Sequence, residues 1–369
     1  MKKVLICSTI LTTIKAFLIP HIRLLQEMGY TVDIAGYKNT VDLDVEVQNV
    51  YDIPFQRNPF SKLNILASRQ LKEIVQKNDY DIIHFHTPVA SAFGRWTVKD
   101  FRKNGTKVFY TAHGFHFYKG APIVNWLVYY PVEKWLAKYT DVLITINNED
   151  YIRARKSFKA GSIEYIPGVG LDLQKFSAVN VGKLEKRREL GLTEEAFVLL
   201  SVGELNENKN HETIIKALPK LNVSNVIYVI CGVGEKEEYL KRLSALLNIA
   251  DKVRFLGFRN DIAEICKASD IFVFPSHREG LGLAALEAMA TGLPLVTSNV
   301  HGIVDYSVDG ITGFSCSPND IEGYVEKIEE LSFDSKMRIT MGSHNMEAVS
   351  VFDKKSVLLI MKNIYKAIT

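Results

Sequence analysis

Short runs of apolar residues rich in Val and Ile alternate with longer segments of helical period along almost the whole chain. In the first half, the predicted strands are Val4–Cys7, Val32–Ala35, Ile82–Phe85, Val108–Thr111, Val142–Thr145 and Ile163–Ile166. In the second half, they are Phe197–Val202, Val226–Cys231, Val253–Leu256, Ile271–Phe274 and Leu295–Thr297. Such continuous runs are typical of strands buried on both faces of a parallel sheet. The pattern predicts an α/β protein with two doubly wound, Rossmann-like domains.

A polar stretch over residues 172–195 separates the two sets of strands and marks the predicted domain boundary. The chain has 369 residues, which is more than a single hydrophobic core usually supports. We predict an N-terminal domain over 1–172 and a C-terminal domain over 173–351. The last segment, 352–369, has helical period over Ser356–Ile368 and is expected to pack back onto the first domain. The carboxyl ends of the two sheets, where ligands bind in such folds, can then face one cleft.

The two halves of the chain differ in charge. Residues 1–180 contain 23 Lys and Arg against 16 Asp and Glu, whereas residues 181–369 contain 22 against 26. A basic half indicates an anionic partner. Nucleic acid is disfavoured, since the chain has neither a dense basic cluster nor an aromatic-studded recognition segment. An anionic lipid surface fits better.

An aromatic-rich stretch, Phe115–Tyr139, lies in the basic half and is interleaved with Lys119, Lys134 and Lys138. Aromatic rings together with lysines suit the interface of a bilayer. A core helix with buried rings explains the same pattern equally well. Both interpretations stay open at the level of the sequence.

Cysteine usage and hydropathy favour the cytoplasm. The four cysteines are scattered and form no CxxC pair (Cys7, Cys231, Cys266 and Cys316), so buried, reduced thiols are expected. The apolar run after Lys3 resembles a secretory signal, but Lys15 follows it and no small-x-small cleavage site appears. We interpret it as a first buried strand. Apolar runs stay well below the ~20 residues that span a bilayer.

The most informative stretch for chemistry runs from Phe272 to Ala290. A predicted strand ends near Pro275, and a loop with Glu279 and the glycine-containing segment Gly280-Leu281-Gly282 leads into a helix that carries Glu287. Glycines allow close approach of the backbone to a ligand, and a helix N-terminus favours a phosphate. A carboxylate inside the helix can accept hydrogen bonds from both hydroxyls of a ribose. Exposed glutamates also flank many ordinary helix starts, but the strand, loop and glycine context favours a ligand site.

The seven-residue spacing between Glu279 and Glu287 resembles the signature of the family-four nucleotide-sugar glycosyltransferases, which have the GT-B fold. Further similar segments are Ser201–Leu205 with Lys209, Cys231–Glu235, Phe255–Ile262 and Ile166–Asp172. The segment from Thr111 through Trp135 is similar to the EpsD/CapM-like branch, which builds repeat units of bacterial exopolysaccharide or capsule. The resemblance covers nearly the whole chain.

The resemblance implies roles for individual residues. Glu279, Lys209 and His113 would be catalytic, with Lys209 on the donor diphosphate and His113 on the transferred sugar. The nucleotide sugar would be bound by Gly203, Glu204, Arg259, Gly280, Leu281, Gly282 and Glu287, with Arg259 or its neighbouring backbone near the nucleobase. His116 is a weaker candidate than His113, and Arg278 is a second possible cation. The family usually has an arginine where this chain has Glu204, so charge neutralisation would depend more on Lys209 and the helix N-terminus.

Metal binding is not expected. His84 and His86 share a face of a strand, but no third ligand is evident. Asp-x-Asp triplets hold a divalent cation in glycosyltransferases of the other major fold. Two occur here, Asp42-Leu-Asp44 and Asp79-Tyr-Asp81, and both are interpreted as incidental. No metal and no cofactor is predicted, with the nucleotide sugar as substrate.

The sequence and the resemblance together predict a cytoplasmic, retaining glycosyltransferase at the inner face of the membrane. Its donor would be a UDP-sugar, with an N-acetylhexosamine favoured, and its acceptor an undecaprenyl-diphosphate-linked saccharide. The alternatives are a nucleotide-sugar epimerase or phosphorylase of the same fold, or a catalytically silent partner that binds the nucleotide sugar. A Rossmann dehydrogenase is disfavoured, because Ser8–Ile14 lacks the Gly-x-Gly-x-x-Gly motif after the first strand.

Overall fold

The chain divides into two compact units. A computed structural model describes residues 2–38, 43–179 and 181–368. The first unit comprises Met1–Gly170 and Lys355–Thr369, and the second comprises Leu171–Lys354. Each unit has its own parallel sheet and its own hydrophobic core.

The first unit is a seven-stranded parallel sheet in the order β3-β2-β1-β4-β5-β6-β7. Its strands are β1 (Lys3–Ile10), β2 (Thr31–Tyr37), β3 (Asn49–Asp52), β4 (Ile82–His86), β5 (Lys107–Ala112), β6 (Val142–Thr145) and β7 (Ser162–Tyr165). Its helices are α1 (Leu11–Phe17), α2 (Ile19–Glu27), α3 (Leu63–Lys77), α4 (Pro88–Val98), α5 (Ile123–Leu136), α6 (Asn148–Ser157) and the final helix α15 (Lys354–Lys366). The strand order reverses between β1 and β4.

The final helix α15 packs on this first sheet. The ring of Tyr365 stacks on Phe109 of β5, with ring centroids 5.6 Å apart. Its hydroxyl lies 2.8 Å from Nδ1 of His84 on β4. The apolar face of α15 therefore covers the sheet close to a buried histidine.

The second unit is a six-stranded parallel sheet in the order β10-β9-β8-β11-β12-β13. Its strands are β8 (Phe197–Val202), β9 (Val226–Cys231), β10 (Val253–Gly257), β11 (Ile271–Phe274), β12 (Leu295–Ser298) and β13 (Gly313–Cys316). Its helices are α7 (Leu173–Ser177), α8 (Lys183–Glu189), α9 (His211–Ala217), α10 (Glu237–Leu246), α11 (Ile262–Ala268), α12 (Leu283–Ala290), α13 (Ile321–Phe333) and α14 (Ser335–Ala348). The strand order reverses between β8 and β11, at the centre of the sheet.

The predicted fold class is confirmed, with differences at the sheet edges and near the boundary. The edge strands β3 and β13 were not predicted. The polar stretch taken as a break contains α7 and α8, and Lys186 and Arg187 of α8 are buried. Lys186 pairs with Asp261 at 2.5 Å and Arg187 with Asp270 at 2.7 Å. The polar residues there are thus part of the packing of the second unit.

Two further sequence-based expectations concern cysteines and membrane spans. All four cysteines are free and buried, as predicted. Across residues 2–38, 43–179 and 181–368, none of the helices has both the length and the apolar character that crossing a bilayer requires.

Candidate functional site

Lys209 and Glu279 form an ion pair at the point where the strand order of the second unit reverses. Lys209 lies in the loop after β8, and Glu279 lies in the loop after β11, the neighbouring strand. The Lys209 Nζ atom is 2.6 Å from Oε1 of Glu279. In open parallel sheets, ligands bind outside the carboxyl ends of the strands at such a switch point. The two residues predicted to act on the donor therefore meet where this fold places its ligands.

Asn208 joins the two loops and so positions the ion pair. The His277 N–H donates to the Asn208 carbonyl oxygen at 2.8 Å, and Asn208 Nδ2 donates to the carbonyl oxygen of Arg278 at 2.9 Å. The Lys209 N–H donates to Oδ1 of Asn206 at 3.0 Å. Asn208 was not predicted as a site residue, and only its position next to Lys209 could have drawn attention to it.

The stem of Lys209 lies across the end of β8 at Gly203. A Cβ atom at Gly203 would come within 3.1 Å of Cε and 3.2 Å of Cδ of Lys209. The Nζ atom lies 4.8 Å from the ring centroid of Phe274. The side chains of Lys209 and Glu279 are only 20% and 12% exposed. The pair is therefore partly desolvated, which strengthens its attraction and its response to a bound anion.

Gly282 allows the loop after β11 to turn sharply into α12. Its φ is +91°, and a Cβ there would come within 2.8 Å of both the Phe274 ring and the Tyr306 hydroxyl. The backbone of the same loop lies close to Gly302, where a Cβ would come within 2.0 Å of the Gly280 carbonyl oxygen. The N-cap residue of α12 is Gly282, which has no side chain to cap the helix. The N-terminus of α12 therefore offers backbone N–H groups to an anion.

Tyr306 places a buried hydroxyl beside this helix start. Tyr306 is 2% exposed, and its hydroxyl has no hydrogen-bond partner among the residues that the structure describes. Burial and the nearby charge of Glu279 raise its pKa well above the usual range, so it stays protonated. A buried hydroxyl without a partner is energetically costly, and a ligand oxygen at the start of α12 would relieve that cost. Tyr306 was not predicted as a site residue, and no motif in the sequence pointed to it.

Glu287 lies in the second turn of α12 and has an unusual acidity. Burial raises its pKa to about 7, and the positive charge of Lys175 opposes this shift. At neutral pH the side chain is therefore about half protonated. Hydrogen bonds donated to the carboxylate, for example by two hydroxyls, would stabilise the ionised form.

Glu204 and Arg259 both have hydrogen-bond partners within the second unit. Glu204 is exposed, and its Oε2 accepts a hydrogen bond from Asn206 Nδ2 at 2.9 Å. Arg259 donates from Nε and Nη2 to the two carboxylate oxygens of Asp261, at 2.8 and 2.5 Å. It also contacts Glu189 at 3.3 Å. The guanidinium of Arg259 is thus engaged by carboxylates.

In the first unit, His113 follows β5 and contacts His86 at the end of β4. His113 Nε2 lies 3.0 Å from Nδ1 of His86. Burial, with a smaller contribution from the nearby His21, lowers the pKa of His113 to about 4. The imidazole is therefore neutral at pH 7 and can donate one hydrogen bond. The following loop is fixed by Asp150, whose Oδ2 accepts from the Phe115 N–H at 2.8 Å.

The candidate metal ligands do not assemble into a metal site in the described parts of the chain. No group of three or more His, Cys, Asp or Glu residues there could hold a metal ion. Asp81 accepts a hydrogen bond from the Lys3 N–H at 2.7 Å, at the start of β1 and β4, which is a structural contact. Asp42 of the other Asp-x-Asp triplet lies outside the described residues.

Comparison with known proteins assigns the family. The glycosyl transferases group 1 family matches residues 182–347, and glycosyltransferase family 4 matches residues 21–173. EpsD of Bacillus subtilis (strain 168), named as a glycosyltransferase, is 38% identical over 370 residues, covering 99% of this chain and 97% of that protein. The UDP-Gal:alpha-D-GlcNAc-diphosphoundecaprenol alpha-1,3-galactosyltransferase of Escherichia coli is 34% identical over 304 residues, which cover 80% of this chain and 77% of that enzyme.

A solved structure agrees with this assignment at the level of the fold. Anabaena HepE in complex with UDP and glucose matches with a TM-score of 0.81 and 19% identity, over 100% of both chains. The family matches together span most of the sequence, and the relatives align over most of their own length. The chain therefore belongs to the group 1 glycosyltransferases, nucleotide-sugar-dependent transferases with the GT-B fold.

Proposed function

We propose that this enzyme transfers a sugar, with retention of configuration and without a metal ion, from a UDP-sugar to an undecaprenyl-diphosphate-linked saccharide. An N-acetylhexosamine is the proposed sugar, and assembly of bacterial exopolysaccharide or capsule is the proposed setting. The observation that supports this proposal most strongly is the Lys209–Glu279 ion pair beside the N-terminus of α12. The E. coli relative supports the donor nucleotide and the lipid carrier, because its name specifies both.

In this proposal, the second unit binds the nucleotide sugar and the first unit serves the acceptor. Lys209, the N–H groups of α12 and the Tyr306 hydroxyl would stabilise negative charge on the leaving diphosphate. Such preorganised donors lower the barrier because they point at charge that grows in the transition state. Glu287 would accept hydrogen bonds from the ribose hydroxyls, and neutral His113 would donate one to the transferred sugar.

The transfer itself would occur on one face of the sugar. The bond from the anomeric carbon to the diphosphate oxygen breaks, and the acceptor hydroxyl attacks from the same side. Its proton passes to the departing phosphate oxygen. Glu279 would lie near the positive charge that develops on the sugar ring. This route needs no enzymatic nucleophile and base, which agrees with the residues gathered at the site.

The placement of Glu204 favours an active enzyme over a silent binding partner. An acidic side chain beside a diphosphate would repel it. Glu204 is instead exposed and hydrogen-bonded to Asn206, while Lys209 in the same loop is directed to Glu279. In this proposal, the charge of the diphosphate is neutralised by Lys209, the N-terminus of α12 and Arg278. Arg278 is half-buried in the adjoining loop.

The proposed function is tested by a transfer assay with purified protein. The acceptor is an undecaprenyl-diphosphate-linked monosaccharide, and the donors are UDP-N-acetylglucosamine, UDP-N-acetylgalactosamine, UDP-galactose and UDP-glucose. We expect an α-linked product from one UDP-N-acetylhexosamine, at an undiminished rate in EDTA. Conversion of the donor to its epimer without acceptor would show the alternative reaction. Transfer from UDP-galactose instead would change only the identity of the proposed sugar and would leave the rest of the proposed reaction in place.

Nucleotide binding is expected to release a proton at neutral pH. If ribose hydroxyls bind the ionised form of Glu287, whose pKa in the free protein is about 7, binding at pH 7 releases about half a proton. The release should vanish at pH 8.5, where Glu287 is already ionised, and UDP affinity should rise from pH 6 to pH 8. Calorimetry in buffers of different ionisation enthalpy measures this. Glu287→Gln is the control, and an equal release from this variant would exclude Glu287 as its source.

A further inference from the structure

Helix α5 exposes an apolar face and buries charge. Ile123 and Leu127 are 77% and 72% exposed. The other exposed residues of this helix include Val124, Val128, Pro131, Val132 and Trp135, at spacings that form one stripe along it. The residues that α5 buries are Glu133 and Leu136. Its inward face also carries the partly buried rings of Trp126, Tyr129 and Tyr130, so α5 is apolar both toward the core and toward solvent.

A buried ion pair fixes α5 in this orientation. Glu133 Oε2 accepts from Nη2 of Arg95 on α4 at 2.6 Å, and Arg95 is fully buried. The Tyr110 hydroxyl lies 3.4 Å from Oε1 of Glu133, and the Arg95 guanidinium stacks 4.2 Å from the Tyr110 ring centroid. Turning the apolar stripe inward would break this pair and leave buried charge, which is costly. The exposed stripe is therefore a fixed feature of the unit.

Most of the aromatic rings near α5 belong to the core. Phe115 and Phe117 are buried, and Trp126 and Tyr130 pack against the same core cluster. The segment was interpreted either as a core helix with buried rings or as a surface for a bilayer. In the structure, the first interpretation applies to most of its rings, and the second can apply only to the exposed side chains of α5. Phe115, Phe117, Trp126 and Tyr130 pack into the core, whereas the side chains of the stripe face solvent.

Positive charge surrounds the exposed stripe. Lys119, Lys134 and Lys138 are all exposed, before, within and just after α5. At the C-terminal end of α5, Trp135 contacts Trp96 of α4 with ring centroids 4.7 Å apart. The first unit as a whole has 25 Lys and Arg against 15 Asp and Glu, a formal charge of +10. The second unit has 20 against 27.

We propose that α5 docks the first unit onto an anionic lipid bilayer, with its apolar stripe in the headgroup region. An apolar face with lysines at its margins and tryptophans at one end is the composition of an interfacial helix. With 14 residues, α5 is about 21 Å long, so it lies in the membrane surface. The cationic rim favours anionic lipid over a second copy of this chain, whose α5 face would carry the same charge.

The role that we assign to docking through α5 rests on the proposed function, in which the acceptor is linked to a lipid. Helix α5 follows β5, so its N-terminus with Ile123 begins at the carboxyl edge of the sheet, where His113 lies. A membrane bound along α5 would present a lipid-linked acceptor near that edge.

The test is flotation of the full-length protein with vesicles that contain no acceptor. The variant is I123E/L127E, and the control is L246E, because Leu246 on α10 of the second unit is 78% exposed. We expect wild type and L246E to float with vesicles of phosphatidylglycerol and neutral lipid. The partition coefficient of the double variant onto these vesicles should be at least about 100-fold lower than that of the wild type. This corresponds to about tenfold for each apolar side chain that is lost. Because both residues are exposed, its melting temperature should match that of the wild type.

A second variant tests the charge separately. K134Q/K138Q changes two exposed lysines and should reduce binding about 25-fold at 0.1 M salt, roughly fivefold per lysine. Flotation of wild type that is equal on neutral and anionic vesicles, or unaffected by both variants, would overturn the proposal. So would a wild-type dimer that dissociates in I123E/L127E without any lipid binding. Vesicles without acceptor keep this result independent of whether the proposed transfer reaction is correct.

Discussion

Replacing Lys209 with Ala is expected to lower donor turnover by about 10²–10³-fold, the usual cost of removing one preorganised donor to a developing negative charge. Lys209 is the only cation that the described residues place against Glu279 within ion-pair distance. The same change should weaken UDP binding, because the diphosphate loses a charge-assisted hydrogen bond worth about 1.5–3 kcal/mol. Turnover is measured by UDP release at saturating donor, and affinity by calorimetry.

The matched control for this variant is Lys216→Ala. Lys216 of α9 also pairs with a glutamate, Glu212, at 2.5 Å, but on the more exposed surface of a helix. An exposed pair of this kind contributes little to stability. Lys216→Ala should therefore leave turnover and UDP affinity unchanged. Wild-type turnover in Lys209→Ala would refute the assignment of this lysine to the diphosphate.

Replacing Glu279 with Gln is expected to have opposite effects on turnover and on UDP affinity. Turnover should fall by about 10²–10³-fold, because charge next to the reacting sugar is lost. UDP affinity should rise, by up to about tenfold, because Glu279 no longer competes with the diphosphate for Lys209. Gln keeps the shape of the side chain, so the loop after β11 should be preserved. The measurements are the same as for Lys209.

Glu212→Gln is the control for this second variant, since it removes the carboxylate of the exposed pair on α9. The double variant Lys209→Ala/Glu279→Gln should lose less turnover than the two single losses multiplied, because the two side chains are in contact. Strictly multiplicative losses would show that the two residues act independently. A fall in UDP affinity in Glu279→Gln would contradict its role as a competitor for Lys209.

The sequence predicted the central strands well and the edge strands poorly. Strands such as β4 and β11 are buried along their whole length and therefore appear as continuous apolar runs. In contrast, β3 has one partly buried residue among exposed ones, and β13 contains Gly and Ser. Edge strands are covered by the sheet on one side only, so their composition carries little signal.

The sequence predicted candidate residues for the site but not the contacts among them. Parallel strands place their carboxyl ends at one edge, which put Lys209 and Glu279 on the same side of a sheet. That β8 and β11 are neighbours depends on strand order, and strand order is not visible in hydrophobic periodicity. Asn208 and Tyr306 were missed for the same reason, since their importance comes from partners distant in sequence.

Helix α5 shows a different limit of sequence reasoning. Its apolar composition predicted a helix, but periodicity alone could not say which face is buried. The orientation depends on Arg95, which lies 38 residues before Glu133 and pairs with it in the interior. A buried ion pair between distant residues thus fixes an orientation that hydropathy alone does not determine.

A structure determined with UDP bound would show whether the loops after β8 and β11 hold the nucleotide as proposed. We predict the diphosphate at the N-terminus of α12, within hydrogen-bond distance of Lys209 Nζ, and the ribose hydroxyls on the carboxylate of Glu287. Glu279 should then be released from its 2.6 Å contact with Lys209. Nucleotide bound elsewhere, or a ribose remote from Glu287, would contradict this prediction.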